Sequence, residues 1–283
     1  MRTRTAALAT LACVALLAAA CSNPPSTVGG GDHQCTTGQQ DPAGPAQMDV
    51  SYGPDIKHVL DIWPACTASA VGTIVYIHGG GYTGGSKQQG AHNNVKRLRD
   101  NGWVVVSIDY RLAPFQRWPA QPNDVQRAID WWRSTGASAF AAPVAPLVGV
   151  GWSAGGHLAE WNNVQDAEVG FDASISVGGG TYWPDRAGSS TANNLFGLNP
   201  LTATLVNASS TTHLDAADPP LLHIHYDDDF YVPVGQAHTL DAAITASGNP
   251  AVHSVQLDST CGHSLDCMRP SYVDPFLASV LAP

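Results

Sequence analysis

The chain has 283 residues, 44% of them hydrophobic and 13% charged, which suits one large α/β domain or two small ones around a substantial core. Asp and Glu outnumber Lys and Arg 23 to 13, for a net charge of −10, and no basic cluster follows the N-terminus. That balance argues against nucleic acid as a partner, because binding it takes concentrated Lys and Arg.

Arg2 and Arg4 precede a small, apolar run from Ala6 to Ala20, and residues 1–20 read as a secretory signal too short for a membrane span. The run ends Leu17-Ala18-Ala19-Ala20-Cys21, which resembles a bacterial lipobox, with Ala18 where Leu is more usual. That resemblance implies a lipid on Cys21, a membrane partner through it, and a place in the cell envelope; the alternative is soluble secretion after cleavage near Ala20. Residues 21–46 are rich in Gly, Pro, Ser, Thr and Gln and read as a flexible tether. Beyond Cys13 and Cys21 four cysteines remain, an even number that suggests two disulfides in an exported protein. Sequence order favours Cys35–Cys66 and Cys261–Cys267 among three connectivities, and the second pair would brace a loop holding His263.

Residues 47–283 read as one domain. Segments 48–52 and 58–63 suggest an opening antiparallel pair, 73–77 and 103–108 buried strands, and 91–100 a helix ended by Asn101-Gly102. Val125, Ala128, Ile129 and Trp132 recur at helical spacing, predicting a helix over 123–133. Further strands are expected at 145–150, 173–177, 221–226 and 251–257, with helices after Ser153 and at 235–245 and 272–281. Strands separated by single helices predict a mainly parallel sheet with helices on both faces. The Thr-, Ser-, Asn- and Gly-rich stretch 178–219 reads as a long loop, a candidate lid or pocket wall, or else a surface insertion without a role.

Two motifs carry chemistry. Gly151-Trp152-Ser153-Ala154-Gly155 follows an apolar run and has the form of a strand-to-helix turn that exposes a serine nucleophile. His78-Gly79-Gly80-Gly81-Tyr82 follows another and has the form of an oxyanion loop, with the N–H groups of Gly80, Gly81 and Ala154 as donors. A base is expected in an exposed loop after the last strand, where His263 stands; His78, His157, His223, His225 and His253 take structural readings. The orienting acid is expected after strand 221–226, at Asp227-Asp228-Asp229. Asp229 is favoured by its offset from Val232-Pro233, and Asp227 stays open. The order Ser, Asp, His is that of α/β-hydrolases. The sequence shows no metal motif and no dinucleotide or phosphate loop; Gly178-Gly179-Gly180 lacks the spacing, so no cofactor is expected.

With Asp109-Tyr110-Arg111-Leu112-Ala113-Pro114 and Gly155-Gly156-His157-Leu158-Ala159, these motifs make the chain resemble bacterial α/β-hydrolase serine esterases. Within them it is similar to the hormone-sensitive-lipase-like carboxylesterases and the acetyl- and feruloyl-esterase group. Trp152 in place of the Asp common in the former, and a tether that cannot build their helical cap, tilt the comparison to the latter. The resemblance implies an α/β-hydrolase fold, a small-molecule ester substrate with a short acyl chain or a carbohydrate part, and Tyr82 and Trp152 beside it. An amidase or formamidase on the same scaffold, or a non-catalytic surface-anchored binding protein, are the alternatives. Nothing in the sequence speaks to oligomeric state.

Overall fold

The computed structural model describes residues 45–165, 169–249, 253–259 and 261–282. The signal segment, Cys21, most of the tether and the Cys35 half of the Cys35–Cys66 pairing lie outside the described residues. Among those described, no helix is long and apolar enough to cross a membrane.

The strands are β1 (Gln47–Ser51), β2 (Val59–Trp63), β3 (Gly72–Ile77), β4 (Trp103–Ile108), β5 (Leu147–Trp152), β6 (Ala173–Val177), β7 (Leu221–Tyr226) and β8 (His253–Asp258). They form one sheet in the order β1-β2-β4-β3-β5-β6-β7-β8. β1 and β2 pair antiparallel, β2 meets β4 antiparallel, and every later pairing is parallel. The parallel order follows from crossover helices: α1 (Asn93–Asp100), α2 (Ala120–Trp131), α3 (Ala137–Ala139), α4 (Ala154–Asn163), α5 (Ser190–Phe196), α6 (Thr202–Asn207) and α7 (Gly235–Ser247), while α8 (Pro270–Val280) follows the last strand.

Side chains alternate across each strand, and here both faces are apolar. Val75, Ile77, Val106 and Ile108 pack with Val125 and Ile129 of α2 and Leu158 of α4 in one core. Ile74, Tyr76, Val105, Val150, Ile175 and Ile224 pack with Val95 and Leu98 of α1 and Val273 and Leu277 of α8 in the other. Helix α2 starts three residues before the expected 123, because Pro122 falls in its first turn, where a missing N–H leaves no helical bond unmade.

Segment 178–219 is more ordered than the loop its composition suggests. It contains α5, capped by the Ser189 hydroxyl accepting from the Ala192 N–H at 3.1 Å, and α6. Both are short and polar, and they are anchored by Leu195 and Leu205, which reach the α2–α4 core.

Candidate active site

Ser153 stands between β5 and α4 with φ 56° and ψ −118°, a backbone conformation that L-residues avoid. Glycines on either side allow the turn. A Cβ on Gly151 would lie 2.0 Å from the Gly155 carbonyl oxygen, and one on Gly155 would lie 2.0 Å from the Ile77 carbonyl oxygen. The Ser153 N–H donates to the Val177 carbonyl at 2.7 Å, which ties the turn to β6.

The loops after β7 and β8 meet this turn. His263 Nε2 lies 2.8 Å from Ser153 Oγ, and His263 Nδ1 lies 2.6 Å from Asp229 Oδ2. An Nδ1–H donated to the carboxylate leaves the Nε2 lone pair facing the serine hydroxyl. Asp229 Oδ1 accepts from the N–H groups of Tyr231 and Val232, each at 2.8 Å. Burial alone would raise the Asp229 pKa, but the hydrogen bonds from His263, Val232 and Tyr231 outweigh it and hold the carboxyl below its usual value. Of its neighbours, Asp228 instead accepts from the Gly262 N–H at 3.1 Å, and Asp227 is exposed.

Ser153 and His263 open into a cleft of about 440 Å³, which is also lined by Gly80, Gly81, Ala154, Tyr82 and Trp152. Gly79 is turned away, its N–H committed to Gln89 Oε1 at 3.0 Å. Tyr82 offers the cleft only its ring, since its hydroxyl is 2.7 Å from His157 Nδ1. That contact fits an Nδ1 acceptor, because His157 Nε2 lies 2.7 Å from the Ala208 carbonyl and serves as the donor there. Burial lowers the His157 pKa from 6.5 to about 4. Trp152 stands over the base, its ring centroid 5.4 Å from that of His263.

Trp183, Arg186, Ser190 and Thr191 of segment 178–219, the candidate lid or pocket wall, line the cleft, and so do Tyr231 and Val232 of the acid loop, which the sequence did not mark. Gly178, passed over as part of a failed phosphate loop, makes room for the base: a Cβ there would sit 3.3 Å from His263 Cε1.

Behind the acid runs a buried polar row. His225 Nε2 lies 2.8 Å from the Val232 carbonyl and must donate, which leaves its Nδ1 to accept from His223 Nε2 at 3.0 Å. His223 Nδ1 then faces Glu160 Oε2 at 2.9 Å, a contact that needs one proton shared between imidazole and carboxyl. The other Glu160 oxygen accepts from the Ser210 hydroxyl. Burial, followed by the charge of His223, pushes the His225 pKa down to about 4.

The sulfurs of Cys261 and Cys267 lie 2.02 Å apart, with their Cα atoms 5.7 Å apart, across the loop that carries His263. Those two cysteines and Asp258 form the one cluster of potential metal ligands among the described residues.

Eight strands in this order, with a strained serine after the fifth strand in the chain and the acid and histidine after the seventh and eighth, define an α/β-hydrolase. Residues 60–182 match the model of the BD-FAE family. The chain is 27% identical over 249 residues to "Esterase LipC" of Mycobacterium tuberculosis, covering 80% of this chain and 61% of LipC. It is 30% identical over 267 residues to "Probable carboxylic ester hydrolase LipM" of the same organism, covering 83% of this chain and 61% of LipM. The chain thus spans about three fifths of the length of these relatives. Among solved structures, a truncated carbohydrate esterase from gut microbiota superposes with a TM-score of 0.75 at 23% identity, over 85% of this chain and 100% of that one. This likeness places the fold among the α/β-hydrolases.

Proposed function

We propose that the chain is a serine carboxylesterase that hydrolyses short-chain acyl or carbohydrate-linked esters through an acyl-enzyme. The observation that carries the reading is the row Asp229 Oδ2–His263 Nδ1 at 2.6 Å and His263 Nε2–Ser153 Oγ at 2.8 Å. As Ser153 Oγ attacks the ester carbonyl carbon, His263 Nε2 takes its proton. Asp229 holds the ring in the productive tautomer and stabilises the imidazolium that forms. The carbonyl oxygen becomes an oxyanion held by the N–H groups of Gly80, Gly81 and Ala154, each worth about 3 kcal/mol to the transition state. The imidazolium then protonates the leaving alcohol, and a water activated by the same histidine releases the acid and frees Ser153.

A small cleft with Trp152 beside the base favours short acyl groups. The esterase names of LipC and LipM and the carbohydrate ester chemistry in the neighbour's title support the same class. The proposal includes a Cys261–Cys267 disulfide that braces the His263 loop. It also includes export and lipid attachment at Cys21, on the strength of residues 1–22 alone.

The test is hydrolysis of p-nitrophenyl acetate, butyrate and octanoate by the wild type and by Ser153→Ala, with acid-quenched protein weighed for an acyl adduct. Rates that fall with chain length, an adduct on the wild type and no turnover by the variant are expected. A folded wild type that turns over none of the esters, or a variant that keeps its activity, would overturn the reading. Turnover of matching anilides alone would point to an amidase.

A further inference from the structure

The cleft contains one formally charged side chain besides the His263 base, and the proposed reaction leaves it unused. Arg186 ends a short turn (Pro184–Arg186) in the 178–219 segment and lines the cleft together with Ser153 and His263. It is the only Lys or Arg between Arg133 and Arg269, in a chain whose net charge is −10. Elsewhere Arg97, Arg111, Arg133 and Arg269 each hold an aspartate: Asp274, Asp124, Asp172 and Asp258. Arg186 holds none. One Nη2 N–H donates to the Tyr231 carbonyl at 3.1 Å, and the guanidinium lies 5.8 Å from the centre of the Trp183 ring. These contacts leave most of its five N–H donors unused. The carboxylate whose charge acts on it is that of Asp229, which is already committed to His263. Burial lowers the Arg186 pKa, as expected of a cation held partly out of water without a counter-ion.

We propose that Arg186 is the anion-binding residue of this cleft, and that the esters it favours carry a carboxylate close to the scissile bond. The inference rests on the esterase reading and names the substrate class within it. A guanidinium presents paired N–H groups that match the two oxygens of a carboxylate. A single cation balances a single negative charge, so a carboxylate fits better than a doubly charged phosphate. The carboxylate can belong to the acid part, as in a half-ester of a dicarboxylic acid, or to the alcohol part, as in an acetylated sugar acid.

Two matched pairs of probes separate these sources. Monomethyl against dimethyl glutarate tests the acid side, and O-acetyl glucuronic acid against O-acetyl glucose tests the alcohol side. Each pair is run with the wild type, Arg186→Gln and Arg186→Lys, and the readout is the ratio of kcat/KM for the anionic probe to that for its neutral partner. The wild type is expected to favour the anion about tenfold or more in one pair, in line with a hydrogen bond to a charged group. Arg186→Gln removes that preference, and Arg186→Lys, which keeps the charge and loses the fork, retains part of it. If Arg186 only struts the turn against the Tyr231 loop, its loss lowers both rates and leaves the ratio unchanged, and the inference falls. It also falls if the wild type shows no preference in either pair while hydrolysing the neutral probes. If no ester is hydrolysed at all, the esterase reading fails, and this inference with it.

Discussion

Asp229 can be tested by an exchange that changes one atom. In Asp229→Asn the side chain keeps its size but offers an amide where His263 Nδ1 needs an acceptor, so the ring flips tautomer and its Nε2 no longer takes the serine proton. Activity on p-nitrophenyl acetate should fall about 10,000-fold while the circular dichroism spectrum stays unchanged. A loss below tenfold would show that His263 works without this partner. The glycines make the matching case for geometry. Gly155→Ala drives a methyl group into the Ile77 carbonyl, a backbone atom that cannot yield, and overpacking of this kind costs about 1–3 kcal/mol or more. Gly81→Ala meets nothing within 4 Å and bears only the strain of its φ of +59°, roughly 1 kcal/mol. Urea unfolding of the two variants should rank Gly155→Ala well below Gly81→Ala; the reverse order would mean the turn is looser than its packing implies.

Among the elements, the loop after β8 depends most on a local constraint. Its His263 is held through the Tyr226 hydroxyl on the Ser264 carbonyl, the Asp228 carboxylate on the Gly262 N–H, and the Cys261–Cys267 contact. Tyr226 and Cys267 are buried in the core that α1 and α8 cover, so the Cys267 end of the loop stays anchored when the cysteine link is broken, and the Cys261–His263 stretch that depends on the link should loosen more than the fold. The double variant Cys261→Ser, Cys267→Ser, or the wild type in dithiothreitol, is expected to lose turnover while its melting temperature moves by only a few degrees. Unchanged turnover would show that the hydrogen bonds suffice. The loop after β7 is built differently. Two backbone N–H groups grip the Asp229 carboxylate from within the loop, and the Val232 carbonyl is tied back to His225, so the acid is supported from the sheet and from α4.

For the whole molecule, acid should be the weak direction. The His157 ring is buried in its neutral form, with a pKa near 4 against 6.5 when exposed, so the unfolded chain binds a proton that the folded chain refuses. Stability is complete above pH 6.5 and is lost as pH falls towards 4, by about 3 kcal/mol for this group alone, and His225 adds to the trend. Urea midpoints at pH 7.5 and 4.5 should differ accordingly, and His157→Gln should shrink the gap; a flat profile would contradict the buried neutral ring. The same large-scale packing decided what could be read in advance. β3 and β4 were legible because runs such as Ile74-Val75-Tyr76-Ile77 are apolar on both faces, and the serine turn was legible because its glycines are dictated by the backbone itself. Arg186 and the row Glu160–His223–His225 were not, because each takes its meaning from residues distant in the chain: Tyr231 for the first, helix α4 beside β7 for the second. That row also equips the protein with a built-in reporter. A proton trapped between an imidazole and a carboxyl in a site closed to water exchanges slowly and resonates far downfield of the amide envelope. The Glu160–His223 pair should therefore give one such line, told from that of the His263–Asp229 pair by its loss in Glu160→Gln, and its broadening would signal that the floor beneath the acid loop has opened before any loss of secondary structure.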